Sequence, residues 1–128
     1  MFDTANPVFT DRRIGPKPYC KQSSWEFYSH VKEFVEYVHI KDARYIEETD
    51  GIFPKAEHVF PGDGDVEKIV TDLLTNGYDG GFSIEPHLAV VLHDDSVQSE
   101  DDVRYRNYVE YGQHFMQLVA NIQAKKKN

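Results

Sequence analysis

Asp3, His39 and Glu85 share two properties that matter for chemistry: they are hard or borderline metal ligands, and each follows or ends a short apolar stretch. Asp3 follows Phe2, His39 lies in Tyr37-Val38-His39-Ile40, and Glu85 follows Phe82-Ser83-Ile84. Folds built on parallel strands place their sites at the carboxyl ends of those strands. A neutral imidazole offers a nitrogen lone pair, and carboxylates offset the charge of a divalent ion. The mixed set suits manganese, magnesium, cobalt or zinc better than a soft metal. An ion held this way polarises carbonyl and hydroxyl oxygens that enter its open positions. Taken singly, each residue has a plainer reading. His39 fits a hydrogen-bonded core histidine, and Asp3 fits a turn or cap. Glu85 is harder to set aside, because a carboxylate buried there without a partner is costly. Residue type and spacing alone leave a site and three structural polar residues as open alternatives.

The elements that would position these residues alternate along the chain. Ser23-Ser24-Trp25-Glu26 reads as a capping box, followed by Phe27, Val31, Phe34 and Val35 at helical spacing. Before it, a segment with Pro7, Gly15, Pro16 and Pro18 reads as an irregular loop. Tyr37-Val38-His39-Ile40 suits a short buried strand. From Asp42 to Gly64 no convincing period emerges, and the stretch is expected to be a long loop. Asp65 is the expected N-cap of a helix carrying Val66, Ile69, Val70, Leu73 and Leu74, with Asn76-Gly77 as its stop. Phe82-Ser83-Ile84-Glu85 reads as another strand, closed by Pro86. A last helix is expected from near Ser99, with Asp102 as capping partner. Tyr105, Tyr108, Val109, Phe115, Met116, Val119 and Ile122 would be its core stripe. With Met1-Phe2 as the stub of a first strand, the order is β-α-β-α-β-α, which implies parallel pairing.

Composition excludes several classes. Acidic residues outnumber basic ones, 14 − 22 = −8, the wrong sign for a protein that displaces counterions from nucleic acid. Lys125-Lys126-Lys127 reads as a solvated tail that complements the negative end of the last helix. Cys20 is the single cysteine, so neither an internal disulfide nor a cysteine-rich zinc site is available. No apolar run approaches the roughly 20 residues of a membrane span. The first residues lack the pattern of a signal peptide, and a cytoplasmic location is expected.

Four segments occur in a recognisable order: Phe2-Asp3-Thr4-Ala5-Asn6, His39-Ile40-Lys41-Asp42-Ala43-Arg44, Pro61-Gly62-Asp63-Gly64-Asp65, and Gly77-Tyr78-Asp79-Gly80 leading to Ser83-Ile84-Glu85-Pro86-His87. Together they resemble the later half of the xylose-isomerase-like sugar phosphate isomerase/epimerase superfamily. Residues 1–90 carry the resemblance well and the final helix loosely. It implies an α/β chain forming part of a (β/α)8 TIM barrel, with about three C-terminal βα units and parallel strands, as a single partial-barrel domain over 1–128. It also implies one divalent metal, with Asp3, His39 and Glu85 in the places of three of the family's four ligands. The family's other glutamate is expected upstream of Asp3. In the family the two glutamates move the proton next to the sugar carbonyl, so Glu85 is the expected catalytic residue. Arg44 resembles an arginine that contacts substrate oxygens. Asn6 stands where some epimerases carry a substrate-binding histidine. Lys41 and His87 are candidates for a substrate hydroxyl or phosphate, or else solvated loop residues. The Pro61–Gly64 turn is expected to be structural.

A full barrel of this kind takes roughly 250 residues. Three open strands leave two uncovered edges, so self-association or pairing with a separate N-terminal half is expected. Two functional classes follow. One is a component of a sugar or sugar phosphate isomerase/epimerase, inactive alone; the other is a non-catalytic remnant that serves as an interaction module. A DNA-repair endonuclease of the same superfamily fits poorly, because it needs a larger ligand set and the opposite charge.

Overall fold

Phe2, Val38 and Phe82 stand side by side across three parallel strands, and their neighbours Asp3, His39 and Ser83 do the same one residue further on. The computed structural model describes residues 1–46, 56–87 and 100–126. The strands are β1 (Phe2–Asp3), β2 (Tyr37–Ile40) and β5 (Gly81–Ile84), in the order β1-β2-β5. Parallel strands need long crossovers, and these hold helices α1 (Ser24–Val31) and α2 (Val66–Thr75). A third helix, α3 (Glu100–Lys126), follows β5. The alternation expected from the sequence is therefore present.

The core lies between the sheet and the helices. Phe2, Val38 and Ile40 pack with Tyr28 of α1, with Val66, Ile69, Val70 and Leu73 of α2, and with Tyr111, Phe115, Leu118 and Ile122 of α3. Each large apolar side chain so buried contributes about 1.5–3 kcal/mol relative to exposure. The capping box of α1 forms as the sequence implies: Glu26 N–H donates to the Ser23 hydroxyl and Ser23 N–H donates to the Glu26 carboxylate. α2 ends in a Schellman turn. Gly77 takes a positive φ of 82°, Tyr78 N–H donates to the Leu73 carbonyl (2.9 Å), and Gly77 N–H donates to the Leu74 carbonyl (3.4 Å).

The structure departs from sequence expectation in four places. First, the stretch from Asp42 to Gly64 is not a loop throughout. It contains β3 (Asp42–Tyr45) and β4 (Ala56–Val59), paired antiparallel, and its portion 47–55 lies outside the described residues. Ala43, Tyr45 and Ala56 of this pair cover Ala5 and Val8, so tertiary packing stabilises strands too short to show a period. Second, α1 stops at Val31 and continues as a 3₁₀ turn, Lys32–Phe34. Its inner face is Ser24 and Tyr28, while Phe27 and Phe34 are exposed, Phe34 to 76%. The Tyr28 hydroxyl donates to Asp72 of α2 at 2.7 Å, which turns this face inward.

Third, Tyr105, Tyr108, Val109 and Met116 of α3 are exposed, and the buried face is Tyr111, Phe115, Leu118 and Ile122, spaced by four, three and four. The Ser99 cap lies outside the described residues. Fourth, Asp65 stands at the N-cap of α2 but its side chain does not cap that helix; its carboxylate instead accepts from the N–H of Trp25 at 3.1 Å. Lys125 and Lys126 are exposed, as a solvated tail implies; Lys126 donates to the Leu74 carbonyl (3.1 Å) and Lys125 pairs with Glu67 (3.7 Å). No described helix is long and apolar enough to cross a membrane.

Candidate metal centre

Register alone brings the three candidate ligands together. Asp3 is the Cα partner of His39, and His39 is the partner of Ser83. Side chains alternate across a strand, so Glu85, two residues beyond Ser83, returns to the face of His39. Its N–H donates to the Ile40 carbonyl (3.0 Å), which extends the β5 ladder one residue past the strand. One ligand atom each from Asp3, His39 and Glu85 lies within 4.8 Å of the other two.

Each side chain is held by its own chain segment. Asp3 Oδ1 accepts from the N–H groups of Ala5 (2.9 Å) and Asn6 (2.8 Å), which open the 3₁₀ turn Asn6–Phe9. That anchoring leaves Oδ2 directed at His39 Nδ1 (3.7 Å) and the Lys41 ammonium (3.1 Å). His39 Nδ1 is also 3.2 Å from Glu85 Oε2. Glu85 uses both oxygens, Oε2 toward Lys41 (3.1 Å) and Oε1 toward His87 Nε2 (3.1 Å). The hydrogen bond from His87 holds the Glu85 carboxyl below its ordinary value; burial opposes this, and Lys41 and His39 add to the lowering. Glu85 is therefore ionised at neutral pH.

Lys41 is the most enclosed member of the group, its side chain 8% exposed. Thr4 sets its position: the buried Thr4 hydroxyl accepts from Lys41 N–H and donates to the Lys41 carbonyl. Two carboxylate oxygens and one imidazole nitrogen, already converging, fit a divalent ion of the manganese, magnesium, cobalt or zinc type. Lys41 is the cation that now bridges the two carboxylates.

The remaining sequence candidates divide. Lys41 and His87 both contact Glu85 and belong to the cluster. Asn6 is exposed and contributes its backbone N–H to Asp3. Arg44 stands apart. It pairs across the antiparallel strands with Glu57 at 2.8 Å, its side chain 57% exposed. By alternation it faces away from the side of the pair that carries Ala43 and His58.

Three contributors escaped sequence reasoning. Thr4 carried no signal beyond its place after Asp3. His58 sits in β4, stacks on His87 with ring centroids 5.0 Å apart, and lies in the field of Asp3 and Glu85. Asp42 carried a signal, since it follows Lys41 and precedes a glycine-rich turn, but its role is visible only in three dimensions. Its buried carboxylate accepts from the N–H groups of Gly62 and Gly64 (both 2.9 Å) and Ala43 (3.0 Å). Burial pushes this carboxyl up to about 6, against the pull of those bonds and one from Val66. The described cavities of about 820 Å³, beside Trp25 and Ile14, and about 670 Å³, beside His114 and Gln117, lie away from the cluster.

Comparisons of the chain with protein-family models, curated proteins and solved structures found no match.

Proposed function

We propose that this chain carries the metal-binding portion of a sugar or sugar phosphate isomerase/epimerase built on a (β/α)8 barrel. The supporting observation is the convergence of Asp3, His39 and Glu85 from the ends of three adjacent parallel strands, in the motif order that resembles the xylose-isomerase-like superfamily. When bound, a divalent ion supplies Lewis acidity to the oxygens of the sugar. The chain's own residues do the rest. Asp3, locked by two backbone N–H groups, presents Oδ2 without reorganisation. Glu85, ionised and gripped by His87, takes or returns the proton on the carbon next to the carbonyl. Lys41 balances the two carboxylates, and His87 orients Glu85.

A manganese titration by calorimetry, on the wild type and on Asp3→Asn, His39→Ala and Glu85→Gln, tests this reading. Each substitution should weaken binding by about tenfold or more, the order seen when groups that position a metal are lost. Unchanged binding in all three would sink it. Exchange of sugar C–H for deuterium, followed by NMR, then tests the proton transfer, and Glu85→Gln should abolish it.

A second reading rests on the sheet. Among the described residues, β1 and β5 each pair only with β2, so each presents an open edge. This favours association with a second copy or with a complementary N-terminal half-barrel. It is compatible with a catalytic complex and equally with a non-catalytic interaction module.

A further inference from the structure

Residues 10–22 carry four basic side chains, Arg12, Arg13, Lys17 and Lys21, against one acidic side chain, Asp11, in a chain whose overall charge is −8. The segment is pinned as a hairpin. Arg12 N–H donates to the Cys20 carbonyl (2.8 Å) in an antiparallel bridge, and the Gln22 amide donates to the Thr10 hydroxyl (3.0 Å). The Tyr45 hydroxyl of β3 donates to the Gln22 carbonyl (2.7 Å). The backbone that carries the basic side chains is thus ordered before any ligand arrives, which lowers the cost of binding one. Two concavities flank the hairpin, and Arg13 lines both. One, of about 770 Å³, is lined by Asp11, Arg13, Lys17, Pro18 and Tyr19. The other, of about 820 Å³, reaches α1, where Ile14, Trp25 and Phe27 line it together with Arg12. Both fall in the size range of small-molecule sites. Phe27 stacks on Phe2 (ring centroids 6.2 Å) and is still 42% exposed, so its ring remains open on the side of the concavity.

We propose that the hairpin and α1 form a binding site for a nucleoside phosphate, with the phosphate held by Arg13 and Lys17 and the base laid against Ile14, Trp25 and Phe27. The site shares no lining residue with the candidate metal centre, and the inference is independent of the isomerase/epimerase reading. A guanidinium fork meets phosphate oxygens with two parallel hydrogen bonds, and the Lys17 ammonium adds a point charge. Tyr19, half-buried beside them, has a hydroxyl to donate. Asp11 is the one carboxylate lining the first concavity, against two cations. In the second, the Glu26 carboxylate is engaged by the Ser23 N–H (3.3 Å). A flat heteroaromatic ring offers the contact area that aromatic and aliphatic side chains bind, at roughly 1–3 kcal/mol per stacked base. Two concavities joined at one arginine suit a ligand with an anion at one end and a ring at the other. A bare anion would use the first concavity alone.

The test titrates the full chain with ADP, with adenosine and with inorganic pyrophosphate, by calorimetry at low ionic strength. A chelator keeps divalent ions out, so that the candidate metal centre does not contribute. ADP should bind at least about tenfold more tightly than either part. Arg13→Gln should weaken ADP and pyrophosphate alike by about tenfold, whereas Phe27→Ala should weaken ADP and leave pyrophosphate unchanged. Arg13 is exposed and lies outside the core, so its replacement leaves the fold intact and keeps the test decisive should the phenylalanine variant fail to fold. Pyrophosphate bound as tightly as ADP would reduce the site to an anion patch and overturn the proposal. So would ADP affinity indifferent to Arg13→Gln, or the absence of any ADP binding.

Discussion

The Lys41 ammonium lies 3.1 Å from Oδ2 of Asp3, with both side chains nearly buried, 8% and 10% exposed. The same ammonium is 3.1 Å from Oε2 of Glu85, so one lysine neutralises both carboxylates of the candidate metal set. Lys41→Met should therefore act in opposite senses on the apo and metal-loaded protein. Without metal, two close carboxylates lose their counter-cation, and stability should fall by about 3 kcal/mol, the low end for breaking a buried pair. With manganese, affinity should rise by at least about tenfold, because a positive charge next to the ion is gone. Thermal melts with and without manganese, together with calorimetry, read both effects. Weaker manganese binding in Lys41→Met would show that Lys41 instead orients the ligands.

Gly64 sits where a side chain has no room. A Cβ there would run into the Asp42 carboxylate and the Ala43 carbonyl, neither of which can move without breaking the turn. Gly64→Ala should cost about 3 kcal/mol, the upper end for forcing extra atoms into a packed site. Gly77→Ala meets open space but keeps a positive φ, and should cost about 1 kcal/mol. Urea denaturation of the two variants checks the ranking. Equal costs would contradict the steric account of Gly64.

The pH dependence of stability should carry a signature of Asp42. Its folded carboxyl is raised to about 6, so between about 4 and 6 the native state binds this proton more readily than the unfolded chain does. Stability from this group is then fully present below about 4 and is lost as the pH rises through about 6. At 1.36 kcal/mol per pKa unit the change is on the order of 3 kcal/mol. Asp42→Asn should lack it, so the variant's deficit relative to wild type should be larger at pH 4 than at pH 7. Urea midpoints at the two pH values decide the matter. A deficit that shrinks at low pH would mean that the backbone N–H bonds outweigh burial.

The edges of β1 and β5 that have no partner strand among the described residues should make the chain associate in solution. Light scattering of the purified chain, with and without manganese, should give a mass of at least two copies. A stable monomer in both conditions would sink self-association and leave a complementary half-barrel as the partner to seek.

Local signals in the sequence determined a good part of this protein. The Ser23–Glu26 box, the Val66–Leu73 stripe, the Asn76-Gly77 stop and the Tyr37–Ile40 strand all depend on residues within a turn or two of one another, and all appear in the structure. Asp3, His39 and Glu85 could be singled out because each stands at the end of an apolar stretch. Which face a helix turns inward was not legible where apolar residues surround it: α1 buries Tyr28 rather than Phe27 because of Asp72, and α3 buries Tyr111 rather than Tyr108. The β3/β4 pair, the burial of Asp42, the bridge made by Lys41 and the stack of His58 on His87 were decided only by tertiary structure. Each depends on partners from 11 to 44 residues away in the case of β3/β4, Asp42 and Lys41, and 29 for the histidine stack. No local pattern encodes contacts of that range; they arise when strand register and packing bring distant side chains to one place.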